Sequence, residues 1–278
     1  MEMRRNGFGK MLSKTGFYSY LSLMVIWFVF PIFLIVYASF QGTLEISLIP
    51  KTLSLHAYRM IPPVYWDSFI FSLWLSVIAA VVSVMVAAPA SWALVRGNLP
   101  GKSLLSNIVL LPILIPKIVI AIALLRFFLP LHLNNNFFGL LLALVGANGL
   151  PLAFRYTLAI AEGINSSYEE AAQTLGAGRM TVFSRIVLPL MGPGIIVSTL
   201  FVFMSNLMSF LIIFFIAGPL SSPISIRLFS DIVERGALPH SIAMSAILIF
   251  VAILFYILIS VVLGPAYFGG VVFAKKDN

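Results

Sequence analysis

The sequence has no cysteine among its 278 residues, which excludes disulfide frameworks, thiolate metal sites and cysteine nucleophiles. Charge is nearly as scarce. Only 9% of the residues are charged and 61% are hydrophobic, whereas soluble domains are about 25% charged. A single water-soluble core cannot bury that much apolar surface, and the excess would aggregate. Disorder is excluded too, because disordered chains are poor in aromatics and this one has 24 Phe. Histidine is limited to His56, His132 and His240, scattered between apolar runs, so no His metal cluster or serine–histidine pair is present. Neither a catalytic site nor a metal site is expected.

What the chain does have is length in its apolar runs. A bilayer core needs about 20 apolar residues per helix. Residues 17–40, 68–95, 103–127, 137–160, 193–218 and 241–267 meet that length. The expected fold class is an all-α integral membrane protein with six transmembrane helices. No internal repeat or linker divides the chain, so residues 1–278 are expected to form a single transmembrane domain. The start (Arg4, Arg5, Lys10, Lys14, then an apolar run) looks like a signal peptide only superficially. The run is too long and no small-residue cleavage site follows, so an uncleaved first span is expected.

The formal net charge is +8, from 17 Lys+Arg and 9 Asp+Glu. On a soluble protein that balance would raise nucleic acid as a partner. In a membrane protein it reports an excess of positive charge in cytoplasmic loops. One set of loops (1–16, 96–102, 161–192 and 268–278) carries Arg4, Arg5, Lys10, Lys14, Arg96, Lys102, Arg179, Arg185, Lys275 and Lys276. The opposite set carries Lys51, Arg59, Arg227 and Arg235, partly offset by Glu45, Asp67, Asp231 and Glu234. Lys117, Arg126 and Arg155 fall inside spans and outside this count. Both termini are expected in the cytoplasm, with membrane lipid and not nucleic acid as the surrounding partner.

Several spans are interrupted. Pro112 and Pro116 bracket Ile113–Ile115 in the third; Asn148, Gly149 and Pro151 lie in the fourth; Ser205, Asn206 and Ser209 lie in the fifth. Such residues are tolerated where they face other helices or a water-filled cavity. Their concentration in spans three to five suggests a shared path, with Lys117, Asn148, Asn206 and Ser209 as candidate lining residues. A charge at mid-span costs roughly 2.5–3.5 kcal/mol on insertion scales, so Lys117 should face protein or water. Two kinds of role are open to it: offering a positive group to an anionic or zwitterionic solute, or a structural one, pairing with a carbonyl freed by Pro116 or snorkelling within the bundle.

The turn Gly97-Asn98-Leu99-Pro100-Gly101-Lys102-Ser103 superficially resembles a phosphate-binding loop. The true pattern needs four residues between the glycines and a strand before them; three stand here, between two membrane spans. The informative segment is residues 164–194, between spans four and five. Ser166 and Glu169, and likewise Ser167 and Glu170, have capping-box spacing, which predicts a helix starting there. Both acids also suit the positive end of the helix dipole. Gly176 is a natural left-handed terminator, and a second amphipathic helix should run from about Arg179 and break near Pro189. A short helix–turn–helix results, either a lone interfacial hairpin or a docking element.

The spacing Glu170-Ala171-Ala172, three residues, Gly176, nine residues, then Ile186-Val187-Leu188-Pro189 resembles the EAA loop of membrane permease subunits of binding-protein-dependent ATP-binding-cassette importers. The resemblance covers about residues 66 to 265 and implies the type I permease fold. Within the family the chain looks most like the polyamine, aminophosphonate, opine and ferric-iron branch, to which Ala217-Gly218-Pro219 is one echo. The resemblance further implies a second permease subunit, identical or homologous, two cytoplasmic ATPases and a periplasmic or lipid-anchored solute-binding protein. ATP and magnesium would belong to the ATPases, and no cofactor to this chain. Glu169, Glu170, Ala171, Ala172, Gly176, Ile186, Leu188 and Pro189 would couple the two. One departure matters: where polyamine-type permeases carry a Phe-Asp-Glu pattern, this chain has Leu207, Met208 and Ser209. A Lys-lined path without acids disfavours polycations, placing an anionic or zwitterionic cargo ahead of a polyamine. A stand-alone secondary transporter or membrane enzyme is the alternative, but no internal repeat is visible and only Lys117 is a clear candidate for an embedded coupling residue.

Overall fold

The computed structural model describes the backbone of residues 3–41, 53–98, 100–218 and 222–270, and the side chains of 16–41, 53–98, 100–218 and 222–261. Glu45, Lys51, Pro219, Lys275 and Lys276, and the side chains of Arg4, Arg5, Lys10 and Lys14, lie outside the described residues. Every regular element among the described residues is helical. In chain order these are α1 (Met3–Ser39), α2 (His56–Arg59), α3 (Pro63–Arg96), α4 (Lys102–Leu114), α5 (Lys117–Phe128) and α6 (Phe137–Gly163). They are followed by α7 (Ser167–Thr174), α8 (Arg179–Leu207), α9 (Leu211–Ile216), α10 (Ile224–Arg235) and α11 (Pro239–Gly270). Five helices are long and apolar enough to cross a membrane, namely Gly16–Ser39 of α1, α3, α6, α8 and Pro239–Val261 of α11. The bent pair α4 and α5 makes a sixth if it is one span.

Two compact units are formed, Met1–Pro62 with Asp231–Val251, and Pro63–Ser230 with Ala252–Asn278. In the first, Ser39 Oγ and Tyr58 Oη lie 2.7 Å apart, joining the end of α1 to α2. Along most of its spanning part α1 buries no side chain within the described residues, Ser39 at its end excepted, as expected of a helix apolar all round.

In the second unit α3 packs along α6 and α8. Its buried stripe is built of small residues, Ser68, Ser72, Ser76, Ala79, Ser83 and Ala87, which lets backbones approach closely without exposing polar groups. The serines satisfy themselves: Ser72 Oγ donates to Ser68 O (2.8 Å) and Ser83 Oγ to Ala79 O (2.6 Å). Gly149 of α6 sits on Ser83 so closely that a Cβ would collide with that side chain. A second packing layer of Ala88, Ala161, Val182, Val187 and Met191 joins the other ends of α3, α6 and α8.

Three expectations are corrected. The third span is not one helix: α4 and α5 meet at 102°. Ile115 is extended (φ −80°, ψ 136°) as residues before proline must be, and Pro116 supplies no N–H to continue the ladder. The fifth span is not one helix over 193–218: α8, Arg179–Leu207, ends before 218, and α9 is a separate short helix. Third, Pro189 does not end the helix that begins at Arg179. A π-turn at Phe183–Val187, in which Leu188 N–H reaches back to Phe183 O, widens the helix just before the proline ring. The same device recurs in α6, where the π-turn Val145–Gly149 precedes Pro151. In both cases the wider turn absorbs the proline that would otherwise clash with the carbonyl four residues back.

Candidate functional site

Two sets of residues singled out by the sequence are assembled in the second unit. The first is the loop around α7. The helix starts where predicted, but neither capping box forms. Ser166 already has helical angles (φ −61°, ψ −23°), so its hydroxyl cannot reach forward as an N-cap must. Asn165 Oδ1 instead accepts from the Ser167 N–H at 3.0 Å. At the other end Gly176 adopts φ +87°, its N–H donates to Gln173 O (2.9 Å), and Ala177 N–H donates to Ala172 O (3.0 Å). This is a Schellman termination, which satisfies two carbonyls otherwise left free.

The two acids have opposite fates. Glu169 is buried: Oε1 accepts from Arg96 Nε at 2.7 Å and Oε2 from Trp92 Nε1 at 3.1 Å. Arg96 also donates through Nη2 to Ile164 O at 2.6 Å, so one guanidinium at the end of α3 holds both flanks of the turn into α7. Glu169 is therefore a clamp, whereas Glu170 is exposed. Ala171 is exposed and Ala172 packs on the Val182–Met191 layer. Ile186 is half-buried in the π-turn, and Leu188 and Pro189 are exposed. Sequence reasoning missed the apolar display beside them: Tyr168, Leu175 and Met180 are 58%, 90% and 78% exposed. The available signal was three large apolar side chains isolated in a run of small and polar residues.

The second set lies at the elbow between α4 and α5. Lys117 Nζ donates to Ala147 O (3.1 Å) and Asn148 Oδ1 (3.2 Å). Asn148 Nδ2 in turn donates to Ser205 Oγ (3.0 Å) and Asn206 Oδ1 (2.8 Å). Lys117 does fill a carbonyl freed by a proline, but the proline is Pro151, not Pro116. Ala147 stands four residues before Pro151, so in a helix its carbonyl would accept from the N–H that proline lacks. Ser209 does not join the node. It lies in the break after α8, where its N–H donates to Asn206 O at 3.0 Å. Ser205, read from sequence only as a polar interruption, takes its place.

An all-helical span pattern among the described residues, with a glycine-terminated Glu-Ala-Ala helix set against the ends of the spans, is the architecture expected of a transport permease. Residues 86–266 match the family described as binding-protein-dependent transport system inner membrane component. The chain belongs to that family and is a permease subunit of an ATP-binding-cassette importer, an inner-membrane component with several spans. It is 35% identical over 158 residues to the molybdenum transport system permease protein ModB of Escherichia coli (strain K12), covering 52% of this chain and 69% of that protein. It is 29% identical over 189 residues to the spermidine/putrescine permease PotC of Haemophilus influenzae, covering 68% and 73%. A sulfate permease, CysT of Salmonella typhimurium, is 28% identical over 178 residues, covering 55% and 63%. In fold, the chain superposes on a chain of a bacterial ABC transporter that imports the acidic polysaccharide alginate, with a TM-score of 0.73, 19% identity, and coverage of 90% and 96%.

Proposed function

We propose that this chain forms half of a translocation path and docks a cytoplasmic ATPase through the loop around α7. A solute-binding protein would deliver a small polar cargo, anionic or zwitterionic in preference to polyamine. The whole described path region would be one transmembrane domain, paired with an identical or homologous permease and served by two ATPases that carry ATP and magnesium. The observation that carries the docking role is the exposed group Tyr168 and Glu170 on α7, which Arg96 clamps to the end of α3, with Leu175 just after α7 and Met180 at the start of α8. Docking through a single leucine removes an exposed apolar side chain from water, worth about 1.5–3 kcal/mol. Leu175→Ala should therefore weaken co-purification of the ATPase by roughly tenfold or more, with the permease still inserted. Unchanged co-purification in Leu175→Ala and Met180→Ala would remove the loop from the interface.

The charge asymmetry supports a topology in which the 96–102 turn, the α7 loop and both termini are cytoplasmic. The chain is free of cysteine, so single cysteines can report sidedness. Exposed Asn98, Leu131 and Ala237 are suitable sites. In intact cells an impermeant thiol reagent should label Leu131→Cys and Ala237→Cys and spare Asn98→Cys. Labelling at Asn98 alone would invert the proposed topology.

A further inference from the structure

We propose that Lys117, Asn148, Ser205 and Asn206 form a binding station for an anionic group rich in oxygen acceptors, such as a tetrahedral oxyanion or a phosphonate, on the transported solute. The inference rests on the permease role proposed above and names the class of cargo that the path accepts.

Charge comes first. Lys117 opens α5 inside the third apolar run, and none of the ion pairs among the described residues involves it. Its two acceptors, a main-chain carbonyl and a carboxamide oxygen, solvate the ammonium without neutralising it. A cation kept at membrane depth without an acid is costly, and a counter-charge brought by the solute would relieve that cost.

Hydrogen-bond stoichiometry points the same way. Both carboxamide oxygens of the node already accept: Asn148 Oδ1 from Lys117 and Asn206 Oδ1 from Asn148. The unspent groups are donors. Lys117 has three N–H bonds and uses two, Ser205 Oγ accepts from Asn148 and keeps its own proton, and Asn206 Nδ2 is buried with no acceptor among the described residues. A positively charged cluster with spare donors fits a ligand that brings acceptors and negative charge. A polyamine, which brings donors and positive charge, fits it least.

Space is available beside it. Lys117 and Ser205 are only half-buried, so they form the open lip of the node, with Asn206 wholly buried behind. Ala147, whose carbonyl takes the ammonium, also lines an apolar groove of about 440 Å³ with Pro112, Ile115, Val119 and Gly146, which Lys117, Asn148, Ser205 and Asn206 do not themselves line.

The test uses the transporter complex purified through this chain together with its own partner subunits, in lipid nanodiscs. Equilibrium binding is measured for sulfate, molybdate, phosphate and 2-aminoethylphosphonate, with putrescine and trehalose as counter-probes. At least one of the four anions should bind and the two counter-probes should not. Lys117→Met should lower that affinity roughly 10- to 100-fold while Lys117→Arg retains most of it. Ser205→Ala, a milder change, should lower it a few-fold. In uptake assays both losses should appear in KM more than in kcat, a split that a purely structural lysine would not produce. An assembled, ATP-hydrolysing complex that binds none of the anions overturns the station alone, as does binding indifferent to Lys117→Met or strongest for putrescine. Failure of the wild-type chain to bring down any ATPase overturns the permease role and the station with it.

Discussion

Replacing Glu169 by alanine is expected to abolish coupled transport and lower the stability of the permease, while the neighbouring Glu170→Ala leaves its stability unchanged. The two residues are adjacent and chemically identical, but only Glu169 is buried. Its side chain is 6% exposed and that of its partner Arg96 is 26% exposed, at a separation of 2.7 Å. Breaking a fully buried pair typically costs 3–5 kcal/mol, and the partial exposure of Arg96 reduces this to about 2–3 kcal/mol. The loss falls on a mechanical joint. Arg96 terminates α3, the helix that packs along both α6 and α8, and holds Ile164 O as well as Glu169. Without Glu169, α7 keeps its Schellman turn but loses the carboxylate that joins it to the end of a span. Thermal unfolding of the purified protein should shift down for Glu169→Ala and less for Glu169→Gln, which can still accept from Arg96 or Trp92. ATP hydrolysis by the complex should continue in Glu169→Gln but lose its stimulation by cargo. Equal behaviour of the Glu169 and Glu170 variants in both assays would remove the clamp from the coupling path.

Why these two acids could not be told apart beforehand is instructive. Capping-box spacing and the helix dipole treat Glu169 and Glu170 alike, because both are local rules. The distinction depends on Arg96 and Trp92, residues more than seventy positions away in sequence. One local clue existed: Glu169 shares a face with Ala172, three residues on, and Ala172 is packed inward. The spans were largely legible, since an apolar run of more than about 20 residues has few other uses. Their ends were not legible where proline was involved. Pro189 and Pro151 carry the usual signal for a helix stop, and each is absorbed instead by a five-residue π-turn just before it. Nothing in the local pattern distinguishes a proline that stops a helix from one that follows a π-turn. The node at Lys117 was half legible. Mid-span charge and mid-span carboxamides stand out in an apolar sequence, but the contacts between Lys117 and Asn148, and between Asn148 and Ser205, join separate helices. Ser209 entered on the same polarity signal and was displaced by Ser205, because α8 ends at Leu207 and takes Ser209 out of register.

Gly176→Val is expected to eliminate uptake while the permease remains in the membrane. Gly176 has φ +87°, a left-handed conformation that costs an L-residue roughly 1–2 kcal/mol, and a β-branched residue the most. A Cβ at Gly176 would meet nothing within 4 Å in this chain, so the penalty inside the permease is conformational and not steric. The chain can relieve it by abandoning the Schellman turn, which releases the carbonyls of Ala172 and Gln173 and moves exposed Leu175 with the chain that follows α7. Three substitutions separate backbone conformation from bulk. Asparagine tolerates the left-handed region better than alanine does, although it is larger. If the turn geometry is what docking requires, ATPase co-purification and uptake should fall in the order Gly, Asn, Ala, Val. Each kcal/mol shifts the population of the docking-competent turn by about fivefold. If instead a close contact with the ATPase excludes any side chain at Gly176, alanine should outperform asparagine. An order of Gly, Ala, Asn, Val would therefore assign this position to the interface surface, and wild-type uptake in Gly176→Val would remove the α7 loop from coupling altogether.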